Sequence, residues 1–426
     1  MIRQDKWIEA IKDFQEKNIP ELVTRDINIE VNLPIKRAIS LIGPRRAGKT
    51  FVMYQIINEL IEKNVKKEQI LYINFERADL DVLNYSDLVN MLEAFYQIYP
   101  DNKKRKIWLF LDEIQNVEGW ERFVRTALDD DVMIFLSGSS SRLLSKEIAT
   151  SMRGRTISYT IFPFSFKEFL KVKGMNSFDN LNSHDKAKVA NFLMEYIEYG
   201  GYPESVIYSA QRENILFEIK EVTIYRDVIE RESVRNVKTL KLLINSIINS
   251  KEFSINKFYN FLKSNGIRIG KNVLYTYIEY LNDAFFVFML KRFSYSANPD
   301  QSISKPYFID NGIIRISGVK DFSRLMENAV FIELYRRNNE ISYVKLSNEK
   351  EVDFTIVKDK KVKRLIQVCY DLTDFKTKER EISSLIKASE EFRCNDLIII
   401  TWNEDKEEII DGKRIRYASL WKWLLE

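Results

Sequence analysis

The sequence predicts an α/β protein of more than one domain, and three observations carry that expectation. A buried strand runs into a glycine-bounded loop and an amphipathic helix at residues 37–62. Three more apolar runs with polar ends follow, at 69–76, 107–111 and 131–144, as expected of parallel strands covered on both faces. After residue 300 an amphipathic helix again precedes a series of strand-like runs. At 426 residues the chain exceeds what one core organises, so two to three domains are expected.

Composition narrows the chemistry. Hydrophobic residues at 45% and charged residues at 30% lie in the globular range, and no run approaches the ~18 apolar residues that a membrane span needs. The opening MIRQDKWIEAIKDFQEK has no apolar secretory core, and cysteine occurs only at 369 and 394. Both features lead to the expectation of a cytoplasmic, reducing setting. The single histidine, His184, excludes a His/Cys zinc set and a Ser-His-Asp relay. The net charge of +4 conceals an asymmetry. Residues 234–298 hold ten Lys or Arg against three acids, a net of +7, which leaves −3 for the rest. Such an island fits a face made for a polyanion.

Taken in order, residues 37–42 are the first strand. The loop Gly43-Pro44-Arg45-Arg46-Ala47-Gly48-Lys49-Thr50 and the helix opening at Phe51, with Val52, Ile56 and Leu60 on one face, complete a P-loop. The two glycines let backbone N–H groups curl around phosphate, and the helix N-terminus adds its positive end. Lys49 reaches the terminal phosphates and Thr50 offers a hydroxyl to Mg²⁺, so ATP and Mg²⁺ are the expected cofactors. In KKRKIWLFLDEIQNVEGW, the run Ile107–Leu111 delivers Asp112 and Glu113 to its carboxyl end. Asp112 is expected in the Mg²⁺ shell and Glu113 as the base that orients and deprotonates water. The run 131–144 brings Ser137, Ser139 and Ser140 to the same crevice, where Ser139 is a candidate for sensing the terminal phosphate. Arg153 and Arg155 stand before another strand. They suit an arginine finger acting across a homo-oligomer interface, and equally a cationic helix C-terminus.

In this order GPRRAGKT, LFLDEIQ, LSGSSSRLL, RGR, FPFSFKEFL and GGYPE resemble the archaeal and bacterial AAA-type P-loop ATPases related to the signal-transducing NTPases. The resemblance spans essentially the whole chain. It implies a P-loop NTPase core of ASCE/AAA type over 1–164, a helical lid over 165–235 and a C-terminal domain of uncharacterised function. In the lid, Gly201-Tyr202-Pro203 would correspond to the motif whose proline contacts the nucleotide base. By itself the stretch reads as a tight turn between helices.

Residues 236–298 are expected to form a winged helix-turn-helix. Ser254 caps a helix with Phe258, Phe261 and Leu262 inward, Gly266 ends it, and Gly270 opens another with Leu274, Ile278 and Leu281 on one face. Lys271, Asn272 and Tyr275 would then face a DNA groove. Arg268 and the wing residues Lys291 and Arg292 would meet phosphates. Winged helices also dock proteins.

Over 299–426 the expectation is an α/β, restriction-endonuclease-like domain. A helix bearing Glu327, a strand bearing Asp353 and a next strand with a polar-x-lysine pair would gather Mg²⁺. Here the third motif reads Gln367-Val368-Cys369. An amide is a weak Mg²⁺ ligand and a thiol does not replace an ammonium, so the site is expected to be silent unless Lys376 or Lys378 migrates in. The functional expectation is an ATP-hydrolysing, DNA-binding protein whose turnover rearranges the basic module. Two alternatives stand beside it: an ATP-gated structure-specific endonuclease, and a slow nucleotide switch that scaffolds proteins.

Overall fold

The computed structural model describes residues 4–31, 34–80, 83–130, 132–139, 152, 154–178, 181–294, 303–346 and 350–426. The chain divides into two compact units, residues 1–162 and 163–426.

The first unit is built on a parallel sheet. Its strands are β1 (Ala38–Ile42), β2 (Ile70–Asn74), β3 (Ile107–Asp112), β4 (Val132–Gly138) and β5 (Thr156–Thr160), in the order β2-β3-β4-β1-β5. Strands β1, β3 and β4 are buried along their whole length, and so they read as unbroken apolar runs. The run expected over 131–144 ends as a strand at Gly138. Helix α1 (Gln4–Glu16) buries Trp7, Ala10, Ile11 and Phe14, and α2 (Lys49–Glu62) buries Val52, Met53, Ile56, Ile57 and Leu60, both at helical spacing. Asn84 caps α3 (Tyr85–Ile98) by accepting from Ser86 N at 2.9 Å, and Asp87 accepts from Asn84 N at 3.1 Å in return. Because β4 lies between β1 and β3, the loop after β1 and the acids after β3 border one crevice at the carboxyl ends of the strands.

The second unit begins with helices α4 (Phe166–Val172), α5 (Ser183–Tyr199), α6 (Pro203–Ile207) and α7 (Arg212–Val222), the last running into a π-helical stretch, Thr223–Glu230. The tight turn Gly200-Gly201 is held from inside: Asp310 accepts from Gly201 N at 2.7 Å and from Gly312 N at 2.8 Å. A Cβ on Gly201 would lie 2.2 Å from Phe164 O, so only glycine fits.

Next come α8 (Val237–Ile248), α9 (Ile255–Ser264), α10 (Lys271–Asp283) and an antiparallel hairpin of β6 (Val287–Leu290) and β7 (Lys305–Phe308), a winged helix. Phe253 and Ser304 form an isolated antiparallel bridge beside this hairpin. The second strand of this hairpin, Lys305–Phe308, lies beyond residue 298. Two packing expectations are corrected. Phe261 stacks on Phe258 yet is 52% exposed, and Tyr277 takes the core position expected of Ile278, which is only half-buried. A helix of 3.6 residues per turn brings i+3 as well as i+4 to one face, and spacing alone did not choose between them.

The remainder comprises α11 (Asn311–Ile316), α12 (Phe322–Arg336), α13 (Phe375–Phe392), α14 (Leu420–Leu425) and a six-stranded mixed sheet. Its strands are β8 (Glu340–Lys345), β9 (Glu351–Lys358), β10 (Lys361–Cys369), β11 (Leu397–Thr401), β12 (Lys406–Ile410) and β13 (Lys413–Ser419), ordered β8-β9-β10-β11-β13-β12. Strands β12 and β13 form a hairpin absent from the sequence reading. β12 opens on three consecutive charged residues, Lys406, Glu407 and Glu408, which hide its period-2 signal. Among the described residues no helix is long and apolar enough to cross a membrane.

Candidate nucleotide site

The glycine-bounded loop sits against the end of β5. Gly43 has φ 151°, and a Cβ there would lie 2.1 Å from Ile161 O, so any side chain would push the loop off the sheet. Gly48, at φ 95°, precedes the first turn of α2, and Arg46 is also left-handed at φ 62°. The buried Lys49 Nζ donates to Gly43 O at 3.2 Å and Pro44 O at 3.1 Å, and lies 3.5 Å from Glu113 Oε1. Ala47 O accepts from Arg25 at 2.9 Å, and the same guanidinium donates to Phe162 O at 2.7 Å. Arg25 thus braces the loop, a role its position twenty residues upstream did not announce. Arg45 pairs with Glu76 at 2.8 Å, while Phe51 is half-exposed on the first turn of α2. Pro44 supplies only its carbonyl.

Asp112 accepts from three hydroxyls. Thr50 Oγ donates to Asp112 Oδ2 at 2.7 Å, Tyr72 OH to the same oxygen at 2.9 Å, and Ser137 Oγ to Oδ1. Ser137 in turn accepts from Glu113 N at 2.9 Å. Burial pushes the Asp112 carboxyl above the usual carboxylate range. The adjacent Glu113 charge adds to that push, and the hydroxyl donors oppose it. Two hard oxygen ligands, Thr50 Oγ and Asp112 Oδ2, are therefore already in contact beside the phosphate loop, and this donor set fits Mg²⁺. Glu113 adopts left-handed backbone, φ 55° and ψ 46°, and Gln115 Nε2 donates to its Oε2 at 2.5 Å.

Of the expected hydroxyls, Ser137 is tied to both acids, and Ser139 is fully buried just after β4. Ser140 and Arg153 lie outside the described residues. Arg155 precedes β5 and pairs with Asp129 at 2.8 Å. Pro203 opens α6 in the second unit. Tyr72 and Gln115 were missed by the sequence reading, although Gln115 stands two positions after the expected base.

In the winged helix, Arg268 and Asn272 are exposed, while Lys271 and Tyr275 are half-buried, with the Lys271 ammonium 6.0 Å from the Tyr275 ring centroid. Lys291 and Arg292 are exposed as well, but their backbone follows the edge of β8: Phe293 N donates to Tyr343 O at 2.7 Å and Tyr343 N to Lys291 O at 3.2 Å. The Arg292 guanidinium donates to Lys345 O.

The C-terminal acids converge on a cation the sequence reading did not consider. Lys305, on β7, places its ammonium 3.3 Å from Glu327 Oε1 and 3.1 Å from Asp353 Oδ1, and also against Glu351. Tyr307 OH donates to Glu327 at 2.5 Å. Gln367 accepts from Asp353 N at 3.3 Å and donates to Glu381. The migrating lysine is thus neither Lys376, which is exposed, nor Lys378, which pairs with Glu408 at 3.6 Å. Burial and the nearby Glu381 push the Cys369 thiol up to about 12, so it stays neutral. Among the described residues no three His, Cys, Asp or Glu side chains form a metal-binding group.

The profile of a family described as AAA domain matches residues 35–170, and one described as a domain of unknown function matches 191–323. An uncharacterized protein of Methanocaldococcus jannaschii is 40% identical over 420 residues, 95% of this chain and 91% of that one. An uncharacterized protein of Haemophilus influenzae is 30% identical over 436 residues, covering 100% and 99%. Among solved structures, the ADP form of the Aeropyrum pernix ORC2 protein aligns at 12% identity over 70% of this chain and 87% of that chain, with a TM-score of 0.35. On its phosphate loop, its sheet order and these full-length relatives, the chain belongs to the AAA-type P-loop ATPases.

Proposed function

We propose that the chain binds ATP with Mg²⁺ and hydrolyses it, and that turnover rearranges the basic winged helix on DNA. The observation that carries this reading is the contact of Thr50 and Asp112 at 2.7 Å beside Lys49, with Glu113 3.5 Å from the lysine ammonium. Lys49 would hold the terminal phosphates, Thr50 and Asp112 the Mg²⁺, and Glu113 would take the proton of the attacking water. Bound Mg²⁺ would neutralise charge on the phosphates. DNA as partner is supported by the net +7 over residues 234–298 and by the exposure of Arg268 and Asn272. The same proposal includes a cytoplasmic, reducing setting, supported by two free, buried cysteines.

The test is an ATPase and nucleotide-binding assay with and without duplex DNA. Lys49→Ala should lose binding. Glu113→Gln should retain it and lose at least about a hundredfold in turnover. A Glu113→Gln protein that hydrolyses ATP at the parent rate would falsify the assignment of the base.

A second reading, a nucleotide switch that docks proteins, is favoured by one observation: the pairing of Lys291 and Phe293 with Tyr343 engages the segment that a DNA-reading wing would present. Binding to DNA that does not weaken with salt, or no binding at all, would select it. The endonuclease reading finds no support in the Lys305 cluster, where an ammonium already sits among the acids expected to hold metal.

A further inference from the structure

Both carboxylate oxygens of Glu113 are engaged, but by partners of different permanence. Oε1 faces Lys49, the side chain assigned to phosphate, so nucleotide competes for that ammonium. Oε2 accepts from Gln115 Nε2 at 2.5 Å, and nothing in the nucleotide's chemistry competes for an amide N–H already held by a carboxylate. The backbone makes the arrangement stiff. Glu113 is left-handed at φ 55°, and Ile114–Asn116 is one turn of 3-10 helix with Ile114 fully buried. Asn116 N closes that turn onto Glu113 O at 3.2 Å. A second, independent feature is that Gln115 Oε1 is buried without a hydrogen-bond partner, which for a buried carbonyl is costly unless a donor arrives.

We propose that Gln115 is the positioning residue of the hydrolytic step, its Nε2 fixing the Glu113 carboxylate and its Oε1 accepting one hydrogen of the attacking water. The inference rests on the ATPase reading above and adds a residue to it. In the step, the water oxygen bonds to the terminal phosphorus of ATP while the bridging P–O bond breaks and leaves its electron pair on ADP. One water proton passes to Glu113; the other stays on the new phosphate oxygen, held until then by Gln115. With both hydrogens directed to protein oxygens, a lone pair is left for phosphorus, which is the orientation an in-line attack requires.

The full-length protein, Gln115→Ala, Gln115→Leu and Gln115→Asn are compared in steady-state ATPase. Each is also tested for binding of ADP with beryllium fluoride, which mimics bound ATP, and of ADP with aluminium fluoride, which mimics the transition state with its water. The expected result is a fall of about 10²–10³ in kcat for Ala and Leu, with KM and beryllium fluoride affinity changed less than about threefold. The preference for the aluminium complex should disappear, and Asn, which keeps an amide on a shorter arm, should recover part of the rate. Leucine keeps the volume of the side chain, so a purely packing role would leave its kcat near the parent value. Unchanged kcat in Ala and Leu, or equal losses in both binding assays and in rate, would overturn the proposal. A parent that binds ATP without hydrolysing it would overturn the ATPase reading itself, and the inference with it.

Discussion

Replacing Lys305 by methionine tests what the C-terminal acids are for. The Lys305 side chain is 9% exposed and its ammonium touches Glu327, Glu351 and Asp353, so the substitution keeps most of the volume and removes one charge that serves three. Removing one partner of a buried pair costs about 3–5 kcal/mol, because the remaining charge is stranded in low dielectric. The three contacts share one ammonium and do not add, so that range is the expectation for the whole cluster. For a unit of this size it corresponds to a fall in Tm on the order of 10 °C. The pH dependence has a definite sign. Burial raises the carboxyls of both Glu327 and Asp353 above the usual range, with Asp353 raising Glu327 further and Lys305 pulling both back down. Without Lys305 both should rise further. The folded variant then binds more protons than the unfolded chain at pH values between about 4 and the raised values, so its stability increases as pH falls through that window. Urea unfolding at pH 7.5 and pH 5, followed by circular dichroism, should show a gap between parent and variant that narrows at pH 5. Equal stability at pH 7.5, or a gap that stays constant, would refute the reasoning.

Charge removal at Arg268, Lys271, Lys291 and Arg292 together should weaken binding to all DNA sequences alike and flatten the slope of log K against log salt by roughly one unit per lost contact, read by fluorescence anisotropy. Arg292 is expected to contribute least, since its guanidinium already donates to Lys345 O. Asp353→Ala should leave DNA affinity intact, and the parent should not nick supercoiled or branched DNA in Mg²⁺ or Mn²⁺; cleavage that vanishes in the variant would restore the endonuclease reading. If Arg155 works across an interface, Arg155→Ala should bind ATP normally, and specific activity should rise with protein concentration in the parent alone. Its partly exposed ion pair with Asp129 is worth about 1 kcal/mol or less, so a change in stability is not expected to mask the effect.

Local chemistry made much of the first unit legible. Strands covered on both faces must be continuously apolar, so β1, β3 and β4 announced themselves, and a loop that wraps phosphate must carry glycine where backbone approaches backbone, as Gly43 does at Ile161. Asp112 and Glu113 followed from their place at the end of such a strand. What the sequence left open depends on pairs distant along the chain. Tyr72 meets Asp112 across forty residues and Arg25 meets Phe162 across more than a hundred, and neither spacing has a period that a linear reading can detect. The same holds for Lys305. Its strand belongs to the wing, its charge belongs to the acids of the C-terminal sheet, and only the hairpin that pairs β7 with β6 and turns it toward α12 and β9 brings the two together. Sequence determined which residue types could do the chemistry, because propensity and burial act on neighbours. Tertiary structure decided which of them meet, because long-range pairing is set by the packing of whole elements and leaves no local trace.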